Sequence, residues 1–335
     1  MIISKTPFRV SLFGGGTDYP DWYLKHGGSV IGTTIDKYNY LSVRYLPPFF
    51  EHKHRIVWSN IELINEVDEI EHPAVKAILS DMEIERGMEI SYNADLPARS
   101  GLGSSSSFTV GLLNALNALK GRMVSKKELA DEAIRIEQEV IKEAVGSQDQ
   151  IWAAHGGLNR IDFHQDGSYE VAPLIMPSVN RRVLQSSFML FFTGFSRFAS
   201  TIAEKQIANF NNKQKDLHQL GAFCDEAAGI LQNGNSLISD LGRLMHEAWL
   251  LKRELADGVT TPVVDEIYNA GLEAGALGGK LLGAGGGGFM LFLVNPENKK
   301  AVREKLSNLI HVNFEFDTGG SKIVVFEPDG KNKNV

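Results

Sequence analysis

The stretch that most limits what this chain can fold into runs from residue 97 to 108, Pro-Ala-Arg-Ser-Gly-Leu-Gly-Ser-Ser-Ser-Ser-Phe. Two glycines and five serines stand directly before an apolar helical pattern, Leu112, Leu113, Leu116 and Leu119, that stops at Gly121. A helix N-terminus has N–H groups without intrahelical partners and a partial positive charge. Glycines ahead of it let the backbone curl around an anion with no Cβ in the way, and serine hydroxyls add donors. Gly101 to Ser107 therefore reads as a phosphate cradle. A surface turn with a serine N-cap is the competing reading of these residues alone.

Around this stretch, strands and helices mix without a steady βαβ rhythm. Strands are predicted at Arg9–Phe13, Val30–Thr34, Tyr38–Arg44, Met88–Ala94, Ser187–Phe192, Phe289–Val294 and Lys322–Phe326, and on both sides of the Asp166–Gly167 turn. A helix opening on a Ser125–Glu128 capping box is predicted to run to about Val145. Helical pattern fills residues 200–255, Thr261-Pro262 opens one more helix, and a helical segment is expected ahead of Gly283. This order favours α+β over a doubly wound sheet. At 335 residues, two domains are expected, 1–180 and 181–335, with the boundary in the polar stretch Pro177–Arg182.

Composition narrows the function. The net charge is −7 and no long basic run occurs, which argues against a nucleic-acid partner. Cys224 is the sole cysteine, so no internal disulfide or cysteine zinc cluster can form. No run reaches the length of a membrane span, and the N-terminal residues lack a signal-peptide pattern. A cytoplasmic protein without a membrane partner is expected. The histidines show no metal-ligand spacing, and His52 and His54 are expected in solvent.

Two further glycine stretches stand out. Gly283–Gly288 contains G-x-G-x-x-G, but a strand follows it rather than a helix, so the dinucleotide-binding reading fails; no P-loop occurs either. Ordering four consecutive glycines costs backbone entropy, so something is expected to approach that backbone closely. In Phe13–Tyr19, Asp18 can bond substrate hydroxyls or its own loop. Glu137 shares a helical stripe with Ala133, Val140, Ile141 and Ala144, so it needs a partner, either a cation or a structural ion pair. Asp149 reads as a helix cap or a base, and Arg197 as an anion ligand or a loop charge.

Together these stretches resemble the GHMP kinase superfamily, which includes galactokinase, homoserine kinase and mevalonate kinase. Pro7–Tyr19, Pro97–Ser105 and Lys280–Gly288 resemble its three motifs, in order and across nearly the whole chain. The resemblance implies a two-domain α+β fold with a ferredoxin-like C-terminal domain, and ATP with Mg²⁺. By match, Pro97, Gly101, Leu102, Gly103, Ser104, Ser105, Ser106, Gly285 and Gly286 would bind nucleotide. Ser105 and Glu137 would hold Mg²⁺, Asp149 would be the catalytic aspartate, and Arg9 would sit by the transferred phosphoryl group. Gly15, Gly16, Thr17 and Asp18 would hold the sugar.

Within the family, the segments FRVSLFGGGTDYPDWY, GSQDQIWAAHGG and FFTGFSRFAS resemble bacterial heptose 7-phosphate kinases. The implied partner is a sugar phosphate, taken at its anomeric hydroxyl. Galactokinase-like members carry Glu-His where this chain has Gly15-Gly16, which makes room for a sugar extended beyond C6. Candidate phosphate ligands are Lys5, Arg44, Arg99, Arg160 and Arg197. The alternatives are a fucokinase-like or mevalonate-pathway kinase, and a silent sugar sensor on the same fold. The oligomeric state stays open, a homodimer included.

Overall fold

In the computed structural model, residues 1–194, 199–233 and 236–328 are described. The first half runs β1 (Ile2–Phe13), α1 (Pro20–His26), β2 (Gly28–Tyr45), β3 (His54–Val57), β4 (Ile61–Ile64), α2 (Pro73–Asp81), β5 (Met88–Ala94), α3 (Ser104–Leu119), α4 (Lys126–Arg135), α5 (Gln148–His155), β6 (Leu158–Phe163) and β7 (Tyr169–Pro173). Then follow α6 (Ser178–Ser187), β8 (Phe188–Phe192), α7 (Ala199–Asn209), α8 (Gln214–Asn233), α9 (Leu237–Arg253), α10 (Pro262–Glu273), β9 (Ala276–Leu281), β10 (Phe289–Val294), α11 (Lys299–Lys305), β11 (Ile310–Val312) and β12 (Lys322–Phe326). No helix among the described residues is long and apolar enough to cross a membrane.

The first sheet has the order β12-β1-β2-β5-β3-β4, with β6 and β7 branching from β2. The two strands expected at Val30–Thr34 and Tyr38–Arg44 are one. Pairing with β1 along its length keeps β2 continuous, while its halves take β6 and β5 as second partners. Register shifts in β1 at Pro7/Arg9 and Ser11/Phe13 absorb the resulting bend. His54, expected in solvent, is buried inside this sheet, because β3 lies between β5 and β4.

α3 packs across β1 and β2, burying Val110, Leu112, Leu113 and Leu116. It begins four residues before the predicted Phe108, because the serines join the helix. The Ser125–Glu128 capping box forms as predicted. The helix after it ends sooner than predicted. It widens into a π-turn at Ile136–Val140, and Lys142 takes a φ of +62°, which no continuing helix allows.

The second sheet has the order β11-β8-β10-β9, all antiparallel. Numbered by its own four strands, that is 4-1-3-2 in a βαββαβ frame, the ferredoxin-like arrangement. The segment before Gly283 is strand β9, not helix. Gly278 and Gly279 disfavour a helix there, and a Cβ on Gly278 would strike the Gly242 carbonyl of α9. Residue 180 falls inside α6, and β12 returns to the first sheet. One apolar core crosses between the sheets, joining Val10, Leu12 and Phe13 to Leu190, Leu217, Leu241 and Leu291. The glycine-rich loops meet at the edge of this seam.

Candidate active site

The turn before α3 is built for a close approach of backbone. Gly101 and Gly103 have φ of +85° and +72°, and Gly103 is the N-cap, with no side chain capping the helix. The first-turn N–H groups thus face the cleft without a capping side chain. The four serines diverge. Ser104 Oγ accepts the Arg99 N–H at 3.0 Å, Ser105 is exposed at the pocket mouth, Ser106 turns to Glu137, and Ser107 donates to the Pro7 carbonyl at 3.0 Å. Pro97 accepts from Ser100 Oγ, and buried Leu102 accepts the Arg9 N–H, so both brace the loop rather than line it.

The backbone that approaches the Gly283–Gly288 stretch is this same loop. Phe289 N donates to the Ser100 carbonyl at 3.1 Å. A Cβ on Gly101 would meet Leu282, and one on Gly288 would meet Ser100. Gly283 and Ala284 line the cleft. Gly285 and Gly286 instead press against Val259, with Gly286 N donating to its carbonyl at 3.0 Å.

Asp149 lies in the first turn of α5 and is gripped by Arg9. Arg9 Nε and Nη2 donate to its two oxygens at 2.6 and 2.5 Å, and Nη1 donates to the Gly101 carbonyl at 2.6 Å. One guanidinium thus ties the carboxylate to the glycine loop. Asp149 keeps 21% of its side chain exposed, against 6% for Arg9.

Glu137 is fully buried on the π-turn. Its Oε2 accepts from Ser106 Oγ at 2.8 Å and Gln150 Nε2 at 2.5 Å, while Oε1 has no partner. Burial pushes the carboxyl up to about 7; the Thr109, Ser106 and Gln150 groups offset this in part, and the Glu143 charge adds to it. A buried oxygen with an open lone pair beside hydroxyls suits a hard cation such as Mg²⁺. Among the described residues no cluster of three His, Cys, Asp or Glu side chains is set to hold a metal, so nucleotide phosphates and water would complete any Mg²⁺ shell.

On the opposite wall, Asp18 accepts the Gly16 N–H at 3.0 Å and is buried. Burial raises its pKa, the Gly16 N–H counteracts, and the Asp149 charge raises it further. Thr17 is spent on the loop itself, donating to the Gly14 and Ser29 carbonyls at 2.9 Å. Gly15 and Gly16 line the pocket.

Residues 67–157 match the GHMP kinases N terminal domain, and residues 231–311 match GHMP kinases C terminal; together they span just over half of the chain. The chain belongs to the GHMP kinase family. A D-glycero-alpha-D-manno-heptose 7-phosphate kinase from Campylobacter jejuni is 27% identical, over 91% of this chain and 94% of its own length. A crystal structure of a D-glycero-D-manno-heptose 1-phosphate kinase from Bacteriodes thetaiotaomicron has a TM-score of 0.78 at 25% identity, covering 96% of this chain and 98% of its own. An L-fucokinase/L-fucose-1-P guanylyltransferase from Bacteroides fragilis is 26% identical over 90% of this chain, which spans 35% of that protein. As a GHMP kinase, the protein is an ATP-dependent small-molecule kinase.

Three of the five basic candidates of this GHMP kinase are engaged elsewhere. Arg44 pairs with Glu89, Arg160 pairs with Asp162 and Asp225, and Lys5 lies over the Tyr38 ring. Arg99 lines the pocket, and Arg197 lies outside the described residues. Sequence reasoning missed Lys252, which is 7% exposed and lines the pocket, with Nζ donating to the Gly283 carbonyl at 2.8 Å. The signal was present. Lys252 continues the helical stripe Leu241, Met245, Ala248, the test that singled out Glu137.

Proposed function

We propose that this protein transfers the γ-phosphoryl group of ATP to the anomeric hydroxyl of a sugar phosphate, most specifically D-glycero-D-manno-heptose 7-phosphate. The Arg9–Asp149 pair beside the uncapped N-terminus of α3 carries the reading. It sets a fixed carboxylate next to an anion-binding helix end, the two things an in-line transfer needs. The glycine loop and the first-turn N–H groups of α3 receive the nucleotide phosphates. Glu137, with Ser105 or Ser106, would hold Mg²⁺, which when bound neutralises charge on the transferring phosphates.

The acceptor oxygen bonds to phosphorus as the bond to ADP breaks, and its proton passes to Asp149. Each Asp149 oxygen bound by Arg9 retains a second lone pair for that hydroxyl, while Arg9 fixes its aim. Three of the five Arg9 N–H groups are engaged in these contacts; the others remain to meet phosphoryl oxygens. Asp18 orients sugar hydroxyls. The heptose assignment is supported by the likeness to the Campylobacter enzyme along nearly both full lengths. The test is ADP release with Mg·ATP and heptose 7-phosphate, heptose, L-fucose, galactose or mevalonate, with ³¹P NMR of the product. A 1,7-bisphosphate formed with the highest kcat/KM agrees; faster turnover of fucose or mevalonate overturns the assignment.

A further inference from the structure

Three glycines stand together at positions 14–16, and the backbone requires only two of them. Gly14 and Gly16 have φ of +79° and +111°, whereas Gly15 is not in the left-handed region. Nor does packing exclude a side chain at Gly15. The nearest atoms to a Cβ built there are Lys252 Nζ at 3.4 Å, Ser11 Oγ at 3.7 Å and Gln148 Nε2 at 3.9 Å, all ordinary contact distances. All three are hydrogen-bond donors, and no apolar atom stands among them.

These donors are built into the fold, not draped on its surface. Ser11 on β1 is 3% exposed, Gln148 at the start of α5 is 7% exposed, and Lys252 at the end of α9 is 7% exposed. All line the cleft. Ser11 Oγ has no partner in the protein, and the Gln148 side chain also hydrogen-bonds the Asp18 carboxylate. A buried hydroxyl without a partner costs stability unless something in the site completes it. Three elements thus converge on Gly15 with an ammonium, a hydroxyl and an amide.

We infer that Lys252, Ser11 and Gln148 form an anion subsite over Gly15 that receives the phosphate group the acceptor already carries. The inference rests on the sugar-phosphate reading above and names the residues that would enforce it. Gly15 keeps the subsite open: any larger side chain there fills it. Lys252 also bonds Gly283, so the subsite ties the sugar wall to the nucleotide hairpin. Burial holds the Lys252 ammonium down to about 8, with Arg9 adding to this and Asp18 and Asp149 opposing it. A poorly solvated ammonium of this kind gains more from a dianion than one in water would.

The phosphate that Lys252 meets has two sources, the acceptor's own and the one transferred from ATP. Lys252→Met and Gly15→Ala separate them, with heptose 7-phosphate and unphosphorylated heptose as paired acceptors. The alanine puts a methyl in the gap without backbone strain, so it tests the subsite even if the methionine variant folds poorly. In both variants KM for heptose 7-phosphate should rise about 10- to 100-fold, the loss of a charge-assisted hydrogen bond. In both variants the loss in kcat/KM should be at least about tenfold greater with heptose 7-phosphate than with heptose, so the preference for the phosphorylated acceptor collapses. Two results overturn the subsite: a parent that prefers heptose 7-phosphate with variants that keep that preference, or a kcat that falls equally with both acceptors, which assigns Lys252 to the transferred group. A parent with no preference overturns the sugar-phosphate reading, and the subsite with it.

Discussion

A Cβ built on Gly103 would lie 3.2 Å from Asp149 Oδ2 and 3.1 Å from Arg9 Cγ. The N-cap of α3 and the Arg9–Asp149 ion pair therefore share one van der Waals boundary. Gly103→Ala forces a left-handed φ of +72° on an L-residue, costing about 1–2 kcal/mol. It also pushes on both members of the pair. Loss of kcat should exceed what a Tm drop of a few degrees implies if Asp149 is the proposed base, because misplacement by a fraction of an ångström reaches its carboxylate. Steady-state kinetics beside thermal melts check this; a variant with parental kcat shows that the contact does not constrain Asp149.

Asp149→Asn is less gentle than its shape suggests. Arg9 donates to both carboxylate oxygens, so an amide NH₂ would face a guanidinium donor. The substitution removes the proposed base and breaks half the fork. The expected loss in kcat is about 10²–10⁴-fold, the range for general acid–base catalysis. Asp149→Ala should match it within about tenfold if the carboxylate is the base. Nucleotide affinity, read by calorimetry, should change little. Near-parental kcat in either variant removes Asp149 from the chemistry.

The glycine-rich loops were legible because each needs backbone freedom that few other residues supply. Glu137 was legible because a charge on an apolar helical stripe must be buried, and it is. Which serine meets it was not legible. Consecutive helical residues point about 100° apart, and the register depends on where the helix starts. Starting at Ser104 instead of Phe108 turns Ser106, not Ser105, onto Glu137. The π-turn was hidden as well, since nothing in the composition of Ile136–Val140 sets it apart from a regular helix. The single β2 was hidden because its continuity comes from pairing with β1, a partner distant in sequence that no local pattern reports.

Glu137 gives a pH dependence of stability in the metal-free protein. Its folded pKa is raised from 4.5 to about 7 by burial. Between those values the folded state binds more protons than the unfolded state, so stability falls as pH rises. The contribution is complete below about 4.5 and is lost as pH passes through about 7. Glu137→Gln removes the titrating group, so its Tm should be flatter across pH 5–8 and exceed the parent's at the upper end. Its Mg²⁺ requirement for turnover should rise at least about tenfold. Superimposed Mg²⁺ titrations of parent and variant would make Glu137 a purely structural residue.

If Lys252 holds the acceptor's phosphate as proposed, it sets the alkaline limit of acceptor recognition. Its ammonium is held down to about 8 chiefly by burial, and the charges around it are Asp18 and Asp149, which oppose the shift, and Arg9 and buried Lys280, which repel it. As pH rises through about 8 the free enzyme loses this positive charge, so kcat/KM for heptose 7-phosphate should fall about tenfold per unit beyond that point. A phosphate monoester takes its second charge near pH 6, which sets the acid side. The profile should therefore be bell-shaped between about 6 and 8. Unphosphorylated heptose should lack both limbs attributed to this contact, and Lys252→Met should lose the alkaline one. The same group acts on stability with the opposite sign to Glu137. Between about 8 and the unfolded value of 10.5 the unfolded state binds the extra proton, so the Lys252 contribution to stability rises with pH. A Tm difference between parent and Lys252→Met that does not move toward the parent across that window, or an alkaline limb that survives in the methionine variant, would place the titrating group elsewhere in the cleft.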